Sequence, residues 1–252
     1  MEQIGMILQE IDVLKNELSA QRPLPKAALD KIQHALDIEY TYDSNRIEGN
    51  TLTMQETELV VSEGLTIGGK SMREHLEAIN HKEAIDFIRE IANKDDSINR
   101  WLILQIHALV LRGIDRDNAG KFRTVPVLIS GSRHTPPQPY LIEKQMEDFI
   151  CRYQEMEKVK EHPVKIAAYL HDELVRIHPF IDGNGRTSRL LMNLYLIRHG
   201  YVIVSLKGDA ESKIAYYKAL EMSHVDGNSE PFVSLVANAE KDSLERYLNL
   251  LR

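Results

Sequence analysis

The chain has 252 residues, of which 43% are hydrophobic and 27% charged, and carries a net charge of −7. That is the make-up of an ordinary soluble globular protein with enough apolar material for a good core, and its acidic balance argues against non-specific nucleic-acid binding, which wants a basic face. No apolar run approaches a membrane span, and the start Met-Glu-Gln-Ile-Gly lacks the basic and apolar regions of a signal peptide; the one cysteine, Cys151, fits a reducing cytoplasm and reads as a small buried hydrophobe.

In chain order, Ile4, Leu8, Ile11, Leu14 and Leu18 form the stripe of an amphipathic helix. Pro23 and Pro25 break it, and a second helix is predicted from Lys26 to about Asp43 on Leu29, Ile32, Leu36 and Ile38. The stretch from Thr41 to Asn50 is a polar helix end with a turn at Gly49-Asn50. Thr53 with Glu56, and Ser71 with Glu74, have capping-box spacing and start helices that end near Gly64 and Asn93. A further helix over 98–111 is expected to turn Trp101, Leu102, Ile106 and Leu109 mostly inward. His75, His81 and His107 fall within these helices without the close paired spacing of metal ligands.

From Gly120 to Tyr140 the texture changes. Residues 125–129 are a β-like run, 130–133 a turn and 134–140 an extended, proline-rich piece, together a surface hairpin. Beyond it, Ile166, Tyr169, Leu170 and Leu174 mark a helix with Pro163 in its first turn, and Leu190, Leu191, Leu194 and Ile197 mark another that stops at Gly200. Residues 201–206 are a short apolar strand or extended piece, 211–222 are helical and include Tyr216-Tyr217, Gly227-Asn228 turns the chain, and Pro231 starts a last helix to Leu251.

The loop joining the helices on either side of residue 180 concentrates chemistry. Asp182-Gly183-Asn184-Gly185 forms the N-terminus of the second helix, where unpaired N–H groups, a positive dipole end and small residues make a phosphate cradle. Arg186 and Arg189 add forked donors for the same anion. Asp182 stands where Mg²⁺ could bridge carboxylate and phosphates, and His178 is the available general base. A P-loop is set aside, since the Gly-x-x-x-x-Gly-Lys-Ser/Thr spacing is missing.

His178-Pro-Phe-Ile-Asp182-Gly-Asn-Gly-Arg186-Thr-Ser-Arg189 resembles the complete core motif of the Fic family, His-x-Phe-x-Asp/Glu-Gly-Asn-Gly-Arg-x-x-Arg, with no position missing. The resemblance covers roughly residues 40–235. It implies an all-α Fic-fold bundle with a β-hairpin flap over the active site, announced by Gly120-Lys-Phe-Arg123, which holds a target segment by strand addition. It also gives Ser44-x-x-x-Glu48-Gly49 the look of the family's N-terminal inhibitory motif, whose glutamate pairs with the second arginine, here Arg189, and keeps the γ-phosphate of ATP out. Tyr217 falls on the nucleotide-base side, while Ser223-His224 occupies the region where the family often has an asparagine. The implied activity is a protein adenylyltransferase using ATP and Mg²⁺ to place AMP on a Ser, Thr or Tyr hydroxyl of a target protein, autoinhibited by Glu48. Residues 1–50 would carry the inhibitory motif packed on a core of 51–252, one globular unit. A homodimer is compatible with the resemblance; a nucleic-acid or membrane partner is not expected.

Two alternatives stay open at this level. The same site could run in reverse and remove AMP, with Glu48 positioning a water. Alternatively, His171-Asp172 is the adjacent His-Asp pair of HD-type metal phosphohydrolases, a short motif that would leave 178–189 unexplained.

Overall fold

In the computed structural model, which describes residues 2–21, 26–94 and 97–251, the chain is helical. The elements of the first half are α1 (Glu2–Ala20), α2 (Lys26–Ile47), α3 (Met54–Glu63), α4 (Met72–Ala92) and α5 (Arg100–Val110). A short 3-10 turn then leads into α6 (Ile142–Lys158), followed by α7 (Pro163–Ile177), α8 (Asn184–Arg198), α9 (Ala210–Asp226) and α10 (Glu230–Leu251). Pro23, Pro25 and the side chain of Leu29 lie outside the described residues.

α8 is the axis of the bundle. Its side chains are buried on every face from Arg186 to Leu196, the mark of a helix at the centre rather than the surface. α7 packs along it, and α4 and α5 cover the other sides. Buried Leu8, Ile11 and Leu18 seat α1 on α10, each worth about 1.5–3 kcal/mol of burial. Both capping boxes form: Thr53 Oγ1 accepts from the Glu56 amide and Ser71 Oγ from the Glu74 amide, with each glutamate reaching back. Gly64 closes α3 in the left-handed region at φ 64°, and Asn93 caps α4.

Several elements depart from the sequence reading. α2 runs on to Ile47, so the Ser44–Glu48 stretch is the last turn of a helix and the turn beyond it. Asn99 caps α5 and sets its inward stripe to Leu102, Ile103, Ile106 and Val110, which leaves Trp101 68% exposed. α6 went unread, although Ile142, Met146, Phe149 and Tyr153 have helical spacing; these fill its buried face and leave Cys151 exposed, not buried. No strand forms among the described residues, so the hairpin over 124–137 has no ladder. Pro126, Pro136 and Pro137 supply no N–H, and Arg123 joins the two arms instead, donating to the carbonyls of Val125 (2.9 Å) and Pro137 (2.6 Å). Residues 201–207 are likewise extended without a sheet: Asn193 exchanges two hydrogen bonds with the backbone of Val204.

Candidate active site

The chain leaves α7 at His178, which takes φ 51° as the helix C-cap while its amide still donates to Leu174 O (3.0 Å). That left-handed residue swings the loop back over α5. Phe180 is then fully buried, stacked on the His107 ring at 3.6 Å. His107 Nδ1 accepts from the Gly120 amide (3.0 Å), so its Nε2 carries the proton and donates to Asp182 O (2.9 Å). Burial pushes the His107 pKa down to about 4, which keeps the ring in that neutral form. Gly120 is required here: it sits at φ 69°, and a Cβ would meet the Cβ of Ala108 at 3.0 Å. Asn184 closes the loop, accepting from Phe180 N and donating to Phe180 O, both at 2.9 Å.

His178 is the basic group of the site. Nδ1 donates to Val175 O (3.3 Å), which leaves Nε2 with a free lone pair. Burial pushes its pKa down to about 4, so the imidazole is neutral through the physiological range.

The first turn of α8 presents amides with no intrahelical partner. Gly183 caps it at φ 79°, and a Cβ there would press on His107 and Val110 at 3.3 Å. Asp182 stands at the mouth of this turn. Oδ1 accepts from the Gly183 amide (2.6 Å) and Arg186 Nη2 (3.1 Å), and Oδ2 accepts from Arg73. Burial pushes the carboxyl up, but Arg186, the Gly183 amide and Arg73 outweigh it and hold the pKa below the usual carboxylate range. Arg186 is itself buried, with Nη1 3.3 Å from Glu77 Oε1. One ionised carboxylate at an anion cradle suits a hard cation that shares its shell with phosphates and water. Among the described residues no group of three or more His, Cys, Asp or Glu could hold a metal by itself.

Arg189 is fully buried, yet every partner of its guanidinium is polar. Nε donates to Ser44 Oγ (2.9 Å), and Nη2 donates to Ser44 O (2.9 Å) and Glu48 Oε1 (2.6 Å). Nη1 lies 3.4 Å from the Tyr216 hydroxyl. Burial works against the charge, but Glu48 more than offsets it and raises the arginine's pKa. Glu48 also occupies the space over Gly185: a Cβ on that glycine would lie 2.3 Å from Glu48 Oε1.

A cavity of about 590 Å³ opens beside these groups, walled by His178, Gly185, Glu48, Tyr217 and the loop 129–133. Tyr217 is half exposed there and its hydroxyl donates to Ile47 O (3.2 Å), whereas Tyr216 is buried behind it. The tip of the loop is fastened to α9 by Glu221, which accepts from Ser132 Oγ (2.6 Å) and from the Arg133 amide (2.9 Å).

The structure thus brings His178, Asp182, Gly183, Gly185, Arg186, Arg189, Ser44, Glu48 and Tyr217 together, with Asn184 spent on the loop backbone. His171 and Asp172 do not converge on one point. His171 is buried with Nε2 3.1 Å from the Tyr216 hydroxyl, and Asp172 takes Ser223 Oγ (2.5 Å) and His224 Nε2 (2.9 Å). Arg73, Glu77, His107 and Glu221 join the site without a sign in the sequence; each comes from a distant helix, and local spacing carries no trace of the contact, whereas Arg123 is marked only through the Gly120-Lys-Phe-Arg123 motif.

The bundle thus sets a neutral histidine beside the N-terminus of its central helix, with a carboxylate at the mouth and a cavity alongside. The Fic/DOC family model matches residues 97–196. The chain is 36% identical over 215 residues to protein adenylyltransferase fic-1 of Caenorhabditis elegans (84% of this chain, 41% of that one). It is 37% identical over 222 residues to protein adenylyltransferase Fic of Aedes aegypti (88% of this chain, 44% of that one). The solved structure of a C. elegans Fic-1 fragment superposes with a TM-score of 0.88 at 32% identity, covering 98% of this chain and 72% of that one. The chain belongs to the Fic/DOC family. It spans less than half the length of those two curated relatives.

Proposed function

We propose that this chain is a protein adenylyltransferase that moves AMP from ATP to a hydroxyl of a target protein, held in check by Glu48. The observation that carries the reading is the contact of buried Arg189 with Glu48, a residue that lines the same cavity as the neutral His178. The relatives' names as protein adenylyltransferases support the reaction type.

In this reaction His178 Nε2 takes the proton of a Ser, Thr or Tyr hydroxyl. The oxygen attacks the α-phosphorus, the bond to the bridging oxygen breaks, and pyrophosphate leaves. The Gly185 and Arg186 amides and the Arg189 guanidinium face the charge that builds on the phosphates, each preorganised donor contributing roughly 3–4 kcal/mol. Asp182 would hold Mg²⁺, which neutralises phosphate charge when bound. Tyr217 would line the base side. The target segment would lie along the flap, where Val125 and Leu128 are exposed. Residues 1–50 act as the regulatory part and 51–252 as the core, and a reducing cytoplasm is the setting.

Glu48 as a substituent of the same cavity favours one second reading, removal of AMP from a modified protein by a water that Glu48 orients. Transfer of label from α-³²P-ATP with Mg²⁺ onto the chain itself, in the wild type, Glu48→Gly and Glu48→Gly/His178→Ala, separates them. Label in the Glu48→Gly lane that vanishes in the double variant supports transfer. Absence of label throughout, with release of AMP from a modified protein by the wild type, supports the reverse reaction.

A further inference from the structure

Asp182 has two oxygens in unlike circumstances. Oδ1 is spent on the fold, bonded to the Gly183 amide at 2.6 Å and to Arg186 at 3.1 Å. Arg186 is only 2% exposed at its side chain and is held on its far side by Glu77, so that bond does not open without moving α8. Oδ2 faces outward, and its partner is Arg73. A hard cation needs a carboxylate lone pair, and the one that can be reached is the one Arg73 covers.

Arg73 is an odd residue for its place. It stands in the first turn of α4, next after Met72 and two past the Ser71 cap, where the helix dipole favours acids and opposes cations. What holds it is the pair of carboxylates in front of it: Nε donates to Glu77 Oε1 (3.1 Å) while Nη2 donates to Asp182. Its side chain is 56% exposed, so it can leave Asp182 without unfolding anything and stay tethered to Glu77. Glu77 in turn accepts from Asn50 Nδ2 (3.0 Å), one residue past the Glu48-Gly49 turn. Through Glu77, the arm that covers the carboxylate and the segment that carries the inhibitory glutamate share one anchor.

We infer that Arg73 is a built-in competitor for the divalent cation at Asp182, a second restraint that acts on the metal as Glu48 acts on the phosphate. This rests on the reading of Asp182 as the metal carboxylate. Cation and guanidinium use the same oxygen and carry the same sign, so one must leave for the other to bind.

Titration of the nucleotide-free 252-residue chain with Mn²⁺ alone, following the free ion by electron paramagnetic resonance, tests this without AMP transfer. Arg73→Ala and Arg73→Gln should each bind Mn²⁺ about tenfold more tightly than wild type, the order expected for removing one competing charge from a half-exposed site. Arg73→Lys, which keeps the charge, should stay near wild type. Circular dichroism on the same samples reports folding. Unchanged or weaker Mn²⁺ binding by a folded Arg73→Ala chain overturns the inference, since the arginine would then be a surface ion pair or a support that orients Asp182. Asp182→Ala distinguishes the two levels: if it leaves Mn²⁺ binding intact, the metal reading of Asp182 fails; if it removes binding while Arg73→Ala changes nothing, only the competitor role fails.

Discussion

At the scale of single residues, the site is set by what each side chain can no longer do. His178 is held by Val175 at Nδ1 and by burial at a pKa of about 4. In an unfolded chain a histidine titrates at about 6.5, so the neutral form contributes stability above that pH, which is lost as the pH falls from there through 4. Under the proposed function the same sign governs catalysis. The base stays competent well below pH 6, and the acid limb of a kcat/KM profile should fall below pH 6; a limb at 6.5 or higher would mean an imidazole open to water. His178→Ala should cut transfer by about 10²–10⁴-fold, the worth of a positioned base, while leaving ATP binding near wild type, as isothermal titration would report. Glu48→Gly removes a charge-assisted hydrogen bond worth about 1.5–3 kcal/mol and frees Arg189. Self-labelling should rise at least tenfold, and an unchanged rate would make Ser44 to Gly49 an ordinary helix end.

At the scale of elements, the legible and illegible parts divide by range. The capping boxes, the αL stop at Gly64 and the helix start at 184 rest on interactions within four or five residues, and they formed as the sequence implies. The core motif and the Ser44–Glu48 pair were legible through the family pattern, and the 2.6 Å contact between Glu48 and Arg189 joins residues 141 positions apart. The paired strands expected of the flap do not form, because strand propensity in residues 125–129 says nothing about where donors will be lacking. The prolines remove them, and Arg123 from outside the run does the fastening. Arg123→Ala should therefore free the loop: amide exchange over 127–135 should accelerate and transfer to a target protein should fall, while helix content stays. Equal exchange in both chains would show that Glu221 at the tip holds the loop by itself.

For the molecule as a whole, α8 is the part around which stability and chemistry coincide. Its several buried sides pack α7, α4 and α5, and its first turns carry both arginines. α1 is remote from the site and joins through α10. Ile11 is fully buried there, and Ile11→Ala should cost about 2–5 kcal/mol, lowering the melting temperature by roughly 2–4 °C per kcal/mol in a chain of this size. Thermal melts monitored by circular dichroism check this. Transfer by the surviving folded fraction should be unaltered, in contrast to changes on α2.

The space above Gly185 has three rival tenants: the methyl group that glycine lacks, the Glu48 carboxylate 2.3 Å from where that methyl would stand, and, under the proposed function, the phosphate of the substrate. Mutational access to the two properties is therefore unequal. Under that function any side chain placed at 185 should displace Glu48 and the phosphate together, and so yield a silent protein rather than a released one. Replacements that should release Arg189 without loss of turnover lie on the other partner surface, at Ser44 in the last turn of α2 and at Glu48 in the turn just beyond it. A random library screened for heightened labelling should return its winners from that stretch and from Arg73, and none from 185, so that control and chemistry, though touching, are inherited on separate stretches of the gene.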